Sequence, residues 1–179
     1  MKFPFSFPYD TAVDDNMKYS LEPMAEKHRV HVIDIFNYYV ENSFAAYPET
    51  RVSYDFYDRF LDMSKGYPAL AVITETGDVA GFGFIHRYSY ASAFKRTAAI
   101  TYFILPQHTR RGLGKSILDR LTEQARGMGI DHLLANISSL NEESLRFHRK
   151  FGFQECGRFN GVGRKFSKDF DVIWMIKQI

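Results

Sequence analysis

The chain of 179 residues is 45% hydrophobic and 16% aromatic, enough for one domain-sized core and too apolar for a disordered or low-complexity class. Its 23 Lys and Arg against 21 Asp and Glu leave a net charge of +2, no basis for a nucleic-acid partner, and its one cysteine, Cys156, excludes a disulfide framework or a thiolate metal cluster. No apolar run approaches the roughly 18 residues of a membrane span, and two prolines and an early acid within residues 1–10 do not read as a secretory signal, so a cytoplasmic protein without membrane contact is expected.

Residues 1–17, where Phe3, Phe5 and Phe7 alternate, read as an N-terminal arm, and residues 18–179 as the domain. A short strand is predicted at Tyr19 to Leu21, closed by Pro23. From Ala25 to Ser43, Val32, Ile35, Phe36, Tyr39 and Val40 recur at helical spacing, and Pro48 bars regular structure just past the helix. Tyr54, Tyr57, Phe60 and Leu61 mark a second, shorter helix. Ala69 to Thr74 and Val79 to Tyr88 read as strands joined by the turn Glu75-Thr76-Gly77-Asp78, and Thr97 to Leu105 as a third, ended by Pro106. Gly112 to Arg126 is helical, Leu133 to Ile137 a buried strand, and Asn141-Glu142-Glu143-Ser144 opens a capped helix that stops at Gly152. Two final strands fall near Phe153 to Phe159 and Asp171 to Lys177. The order predicts an α/β fold with a mixed sheet. Cys156 is expected as a small core residue, and His28 and His31 on a solvated helix face with no metal.

The segment that carries chemistry is Ile104-Leu105-Pro106-Gln107-His108-Thr109-Arg110-Arg111-Gly112-Leu113-Gly114-Lys115-Ser116. A strand ends, a basic loop with glycines comes next, and a helix begins. The glycines allow close backbone approach, and the helix start offers amide donors at its positive dipole end, so the segment suits a phosphate or pyrophosphate. Arg110, Arg111 and Lys115 add positive charge. Gly114-Lys115-Ser116 also matches the end of a nucleotide P-loop, but Thr109 stands where that motif opens with glycine, and the strand Leu133-Leu134-Ala135 ends in Asn136 rather than a metal-holding Asp.

Arg111-Gly112-Leu113-Gly114 after strand and proline resembles the coenzyme A pyrophosphate loop of the GNAT superfamily of N-acetyltransferases. Asn141, Ser144, His148 and Phe151-Gly152-Phe153 resemble its next signature, a helix beside the pantetheine arm and the strand after it. Asn37-Tyr38-Tyr39-Val40-Glu41-Asn42-Ser43, Gly161-Val162-Gly163-Arg164-Lys165-Phe166 and Asp171-Val172-Ile173-Trp174-Met175 resemble the phosphinothricin acetyltransferase-like branch. The resemblance covers about residues 18 to 179. It implies a mixed, mostly antiparallel, splayed sheet flanked by helices, acetyl-CoA as co-substrate without a metal, a homodimer, and a small-molecule primary amine, amino-acid-like or aromatic, as acceptor.

By the same resemblance, backbone groups of Tyr102, Phe103 and Ile104 hold the thioester and pantetheine, amides from Arg110 to Lys115 (Arg110, Arg111, Gly112, Leu113, Gly114, Lys115) hold the pyrophosphate, and Asn141 and Ser144 lie on the coenzyme's helix. His148 is the expected proton donor to the departing thiolate. The base departs from the branch's pattern: Ala99 stands where relatives carry a Glu. His86, on the neighbouring strand, is the nearest titratable substitute, although a strand end suggests solvent contact and an amine that arrives neutral needs no strong base. Phe44, Tyr47, Ser92, Ala93, Phe94 and the loop around Gly163 and Arg164 are expected to wall the acceptor. Where the branch places an acid-binding Arg this chain has Tyr88-Ser89-Tyr90-Ala91-Ser92, which points to a more apolar or aromatic amine than phosphinothricin. The missing Glu also admits a non-catalytic coenzyme A-binding or sensing module, and a protein N-acetyltransferase is the rival enzyme.

Overall fold

A computed structural model describes residues 18–179; the expected arm over residues 1–17 lies outside the described residues. The elements run β1 (Tyr19–Pro23), α1 (Arg29–Asn42), α2 (Phe56–Met63), β2 (Ala69–Thr74), β3 (Val79–Arg87), β4 (Thr97–Ile104), α3 (Leu113–Gly127), β5 (His132–Ser138), α4 (Glu142–Lys150), β6 (Gln154–Lys165) and β7 (Lys168–Gln178). The strands form one sheet in the order β1-β2-β3-β4-β5-β7-β6, antiparallel at every pairing except β4 with β5.

Strand alternation sorts the apolar side chains into two cores. On one face Ile85, Ala98, Ile100, Leu133, Ala135, Ile137, Ile173 and Met175 pack against α3 and α4. On the other, Phe82, Phe84 and Phe103 pack under α1 and α2. The parallel pair is short: β4 meets β5 only from Thr97 to Ala99, opposite His132 to Leu134. Beyond it β4 stays with β3 and β5 turns to β7, so the two strands diverge and leave a V-shaped gap.

Three local expectations are corrected. His28 is not on a solvated face; it is buried, with Nε2 2.7 Å from Glu22 Oε1 and Nδ1 accepting the Ala25 amide at 3.0 Å. The preceding strand carries that carboxylate, which the helix's own spacing does not show. Cys156 is exposed rather than in the core, because β6 is an edge strand whose outer positions no described residue covers. The stretch around Gly163 and Arg164 is not a loop but the end of β6. Phe166 and Ser167, at φ of 49° and 59°, make the tight hairpin to β7, a left-handed pair usually filled by Asn-Gly.

Candidate active site

The loop after β4 is set by backbone geometry. Arg110 and Gly112 hold φ of 62° and 82°, and Gly112 caps α3, whose first turn presents amide donors beside the gap. No described residue lies within 4 Å of a Cβ built on Gly112, so that glycine serves conformation. Gly114 serves packing: a Cβ there would lie 2.9 Å from the Phe147 ring of α4. Gly114 thus also lets α3 approach α4, a packing role beside the expected approach of the backbone to a phosphate. Arg110 is almost fully exposed with Glu143 3.9 Å away, Lys115 pairs with Asp119, and Arg111 lies against Tyr19 and His108. Tyr19 and His108 brace the loop through a 2.9 Å hydrogen bond.

The gap suits an extended chain such as pantetheine, because Ile100 to Ile104 have no β5 partner. One acceptor is already taken: the Ile104 carbonyl receives the Tyr39 hydroxyl at 2.5 Å. Asn141 caps α4 by accepting the Ser144 amide at 3.2 Å. One turn on, His148 is 4% exposed. Its Nδ1 lies 2.8 Å from the Ser144 carbonyl, which can only accept, so Nδ1 carries the proton. Nε2, 2.7 Å from the Tyr102 oxygen, must therefore accept that hydroxyl, and the two rings stack at 5.6 Å. Burial pulls the His148 pKa down to about 4, and the Ser144 contact offsets only part of that. The imidazole is neutral at pH 7 with its only N–H committed to the backbone, so the reading of His148 as direct proton donor is revised. The hydroxyl it holds belongs to Tyr102, which burial keeps protonated well above its ordinary value.

On the other face the register places His86 directly opposite Ala99. Directly paired positions bring Cβ atoms within roughly 5 Å, so the imidazole stands beside the place of the missing Glu. His86 is half-buried rather than solvent-facing. Its Nδ1 donates to the Arg87 carbonyl at 3.1 Å, which leaves the lone pair on Nε2. Burial lowers its pKa below the ordinary histidine value, with the Arg87 contact opposing.

The acceptor-side aromatics form a linked set. Phe44 meets Phe166 and Phe170 edge-on at 5.5 and 5.8 Å, and Tyr47 stacks on Phe170 at 5.8 Å. Lys165, 1% exposed, donates from Nζ to the Ser43 and Ala46 carbonyls and so fastens the α1–α2 loop to the hairpin. Asn37 fastens the same loop by reading both backbone groups of Val52, at 3.0 and 2.8 Å. At Gly163 the Phe170 ring occupies the place a Cβ would take, and exposed Arg164 pairs with Asp169, so neither forms a free wall. Ser92, Ala93 and Phe94 form an exposed turn, with Phe94 against Tyr88 and Tyr88 against Trp174. Sequence reasoning missed the anchors Lys165 and Asn37, which only tertiary contacts reveal. It also gave no role to Asn136, the one exposed residue of β5.

Residues 32–153 match the acetyltransferase (GNAT) family. The chain is 30% identical over 146 residues, 80% of its length and 85% of the relative's, to an L-methionine sulfoximine/L-methionine sulfone acetyltransferase of Pseudomonas paraeruginosa. It is 33% identical over 114 residues, 64% of its length and 66% of the relative's, to an L-amino acid N-acyltransferase of Escherichia coli. A GNAT superfamily phosphinothricin acetyltransferase of Sinorhizobium meliloti, solved in complex with acetyl-CoA, shares the fold at a TM-score of 0.84 and 23% identity, over 90% of this chain and 88% of that one.

Proposed function

Because this chain belongs to the acetyltransferase (GNAT) family and is an acetyl-CoA-dependent N-acetyltransferase, we propose that it acetylates the primary amine of a small amino-acid-like or aromatic molecule. The observation that carries the reading is the joining of two half-sites at one gap: an amide-rich helix start and α4 on one face, a neutral histidine on the other. The amides from Arg110 to Lys115 hold the pyrophosphate, the free β4 edge the pantetheine, and Asn141 and Ser144 line its path. No set of three or more possible metal-ligating side chains clusters among the described residues.

The bound coenzyme supplies an activated acetyl thioester, and transfer makes a C–N bond as the C–S bond breaks, with one proton moving in net from nitrogen to sulfur. His86 takes the proton from nitrogen at Nε2, which its neutral state and Nδ1 anchoring support. The Tyr102 hydroxyl, positioned by His148 Nε2, turns its hydrogen from that nitrogen to the departing sulfur as negative charge develops there, and solvent restores both groups. Phe44, Tyr47, Phe94 and Trp174 supply apolar surface for the acceptor's body. A second copy of the chain covers the outer edge of β6, where Phe159 and Val162 are 55% and 62% exposed; sedimentation of the purified protein as a monomer would remove that part.

The central test is free-thiol release from acetyl-CoA with amino acids, aryl amines, polyamines and peptides, beside a coenzyme-binding titration. Turnover with small amines is expected. Turnover with peptides alone, or tight binding without turnover, overturns the proposal. No described helix is long and apolar enough to cross a membrane.

A further inference from the structure

Asn136 is an exposed polar side chain in the middle of an interior strand. Its neighbours in β5 are buried, and β5 is flanked by β4 and β7, so exposure here means that the sheet face itself is open. Ala99 and Leu134 are the last paired positions of β4 and β5. Two residues further along each strand, on the same face, stand Thr101 and Asn136, so they oppose one another across the opening gap. This is the face of His86. Trp174 of β7 is directly paired with Asn136 and is only partly buried.

The side-chain amide of asparagine accepts through Oδ1 and donates through Nδ2, side by side. It thus matches a molecule that presents an N–H and an oxygen acceptor a few bonds apart. Asn37 does this to Val52 in the same protein, at 2.8 and 3.0 Å. A primary amine with a carboxylate or carbonyl on the adjacent carbon presents the same pair. A simple alkyl or arylalkyl amine presents only the N–H.

We infer that Asn136 is a specificity-determining residue that selects α-amino acids and their carbonyl derivatives over plain amines, with Trp174 beside it receiving the acceptor's side chain. The inference rests on the N-acetyltransferase reading and names its substrate class. Oδ1 orients the reacting amine at the gap, and Nδ2 holds the neighbouring oxygen.

The test pairs L-methionine, L-phenylalanine and L-leucine with their decarboxylated counterparts in a steady-state acetylation assay. Wild type is expected to favour the amino acid of each pair. Asn136→Leu, close in volume and without the amide, should lose roughly 10- to 100-fold in kcat/KM for amino acids, mainly through KM, in keeping with about 1–3 kcal/mol for hydrogen bonds left unmade. Its activity on the plain amines, which lose only the contact of the N–H to Oδ1, should fall less than its activity on amino acids, and its acetyl-CoA affinity should stay near wild type. Asn136→Gln, which keeps the amide, should recover part of the preference. An Asn136→Leu enzyme with the wild-type preference, or a wild type that favours plain amines, overturns this inference and leaves the acetyltransferase reading intact. Absence of turnover with every primary amine overturns both.

Discussion

The two faces of the gap are built on different principles. The proposed coenzyme side is mostly one contiguous stretch, the end of β4, the loop and the start of α3, joined by α4, and it relies largely on backbone amides and two residues with positive φ. The acceptor side is gathered from β3, β4, β5, β7 and the α1–α2 loop, and its work is done by side chains. Each side carries a half-buried or buried histidine, and both are neutral. His148 spends both ring nitrogens on the protein, whereas His86 spends one and keeps a lone pair. Burial alone therefore does not mark a base; what the remaining nitrogen faces does.

The largest expected effect breaks the coenzyme side. Gly114→Asp drives a side chain into Phe147 and puts a negative charge at the helix start, and should abolish acetyl-CoA binding by calorimetry. Arg111→Ala, which removes a charge together with its contacts to Tyr19 and His108, should weaken binding by roughly 10-fold. Unchanged affinity in a folded Gly114→Asp protein would exclude the site.

Next in size is acid stability, which separates the histidines by depth. The folded pKa of His148, about 4, lies below that of an unfolded histidine, so its contribution is complete above roughly pH 6.5 and is lost as the pH falls towards 4. The loss should approach about 3 kcal/mol in urea titrations. His148→Asn should show a drop smaller by that amount over the same interval, and equal drops would refute the buried neutral state.

Tyr102→Phe and His148→Ala should each lower kcat by roughly 10²-fold with coenzyme affinity nearly intact. A double variant no worse than either single one is expected, because the two act as a unit. Full kcat in Tyr102→Phe would return proton delivery to some other group.

The smallest effect concerns His86. If it is the base, kcat/KM should rise with pH along a limb below the ordinary histidine value, and His86→Ala should remove that limb while costing roughly 10-fold at neutral pH. Ala99→Glu places a carboxylate opposite the ring, favours its charged form and should move the limb upward. A profile that climbs only towards the amine's own pKa, unaltered in His86→Ala, would mean that the amine arrives neutral without help.

What the sequence determined by itself was whatever depends on neighbours along the chain. The strand–loop–helix at Ile104–Ser116, the Asn141 cap and the order of helices and strands are set by local apolar periodicity, turn chemistry and glycine conformation, all carried by consecutive residues. The resemblance to the GNAT superfamily rests on those same stretches, and that to the phosphinothricin acetyltransferase-like branch on residues 37–43, 161–166 and 171–175. Only the tertiary structure decided the rest. His28 meets Glu22, Lys165 reaches Ser43 and Ala46, and Asn37 clasps Val52, across six to 122 residues of sequence. The proton on His148 follows from the Ser144 carbonyl one turn back, but the hydroxyl that its Nε2 accepts comes from Tyr102, 46 residues away, and the place of His86 beside Ala99 comes from strand register. Register, burial and hydrogen-bond partnership are properties of pairs brought together by folding. Periodicity fixes which face a residue takes, and the packed sheet alone fixes what that face meets.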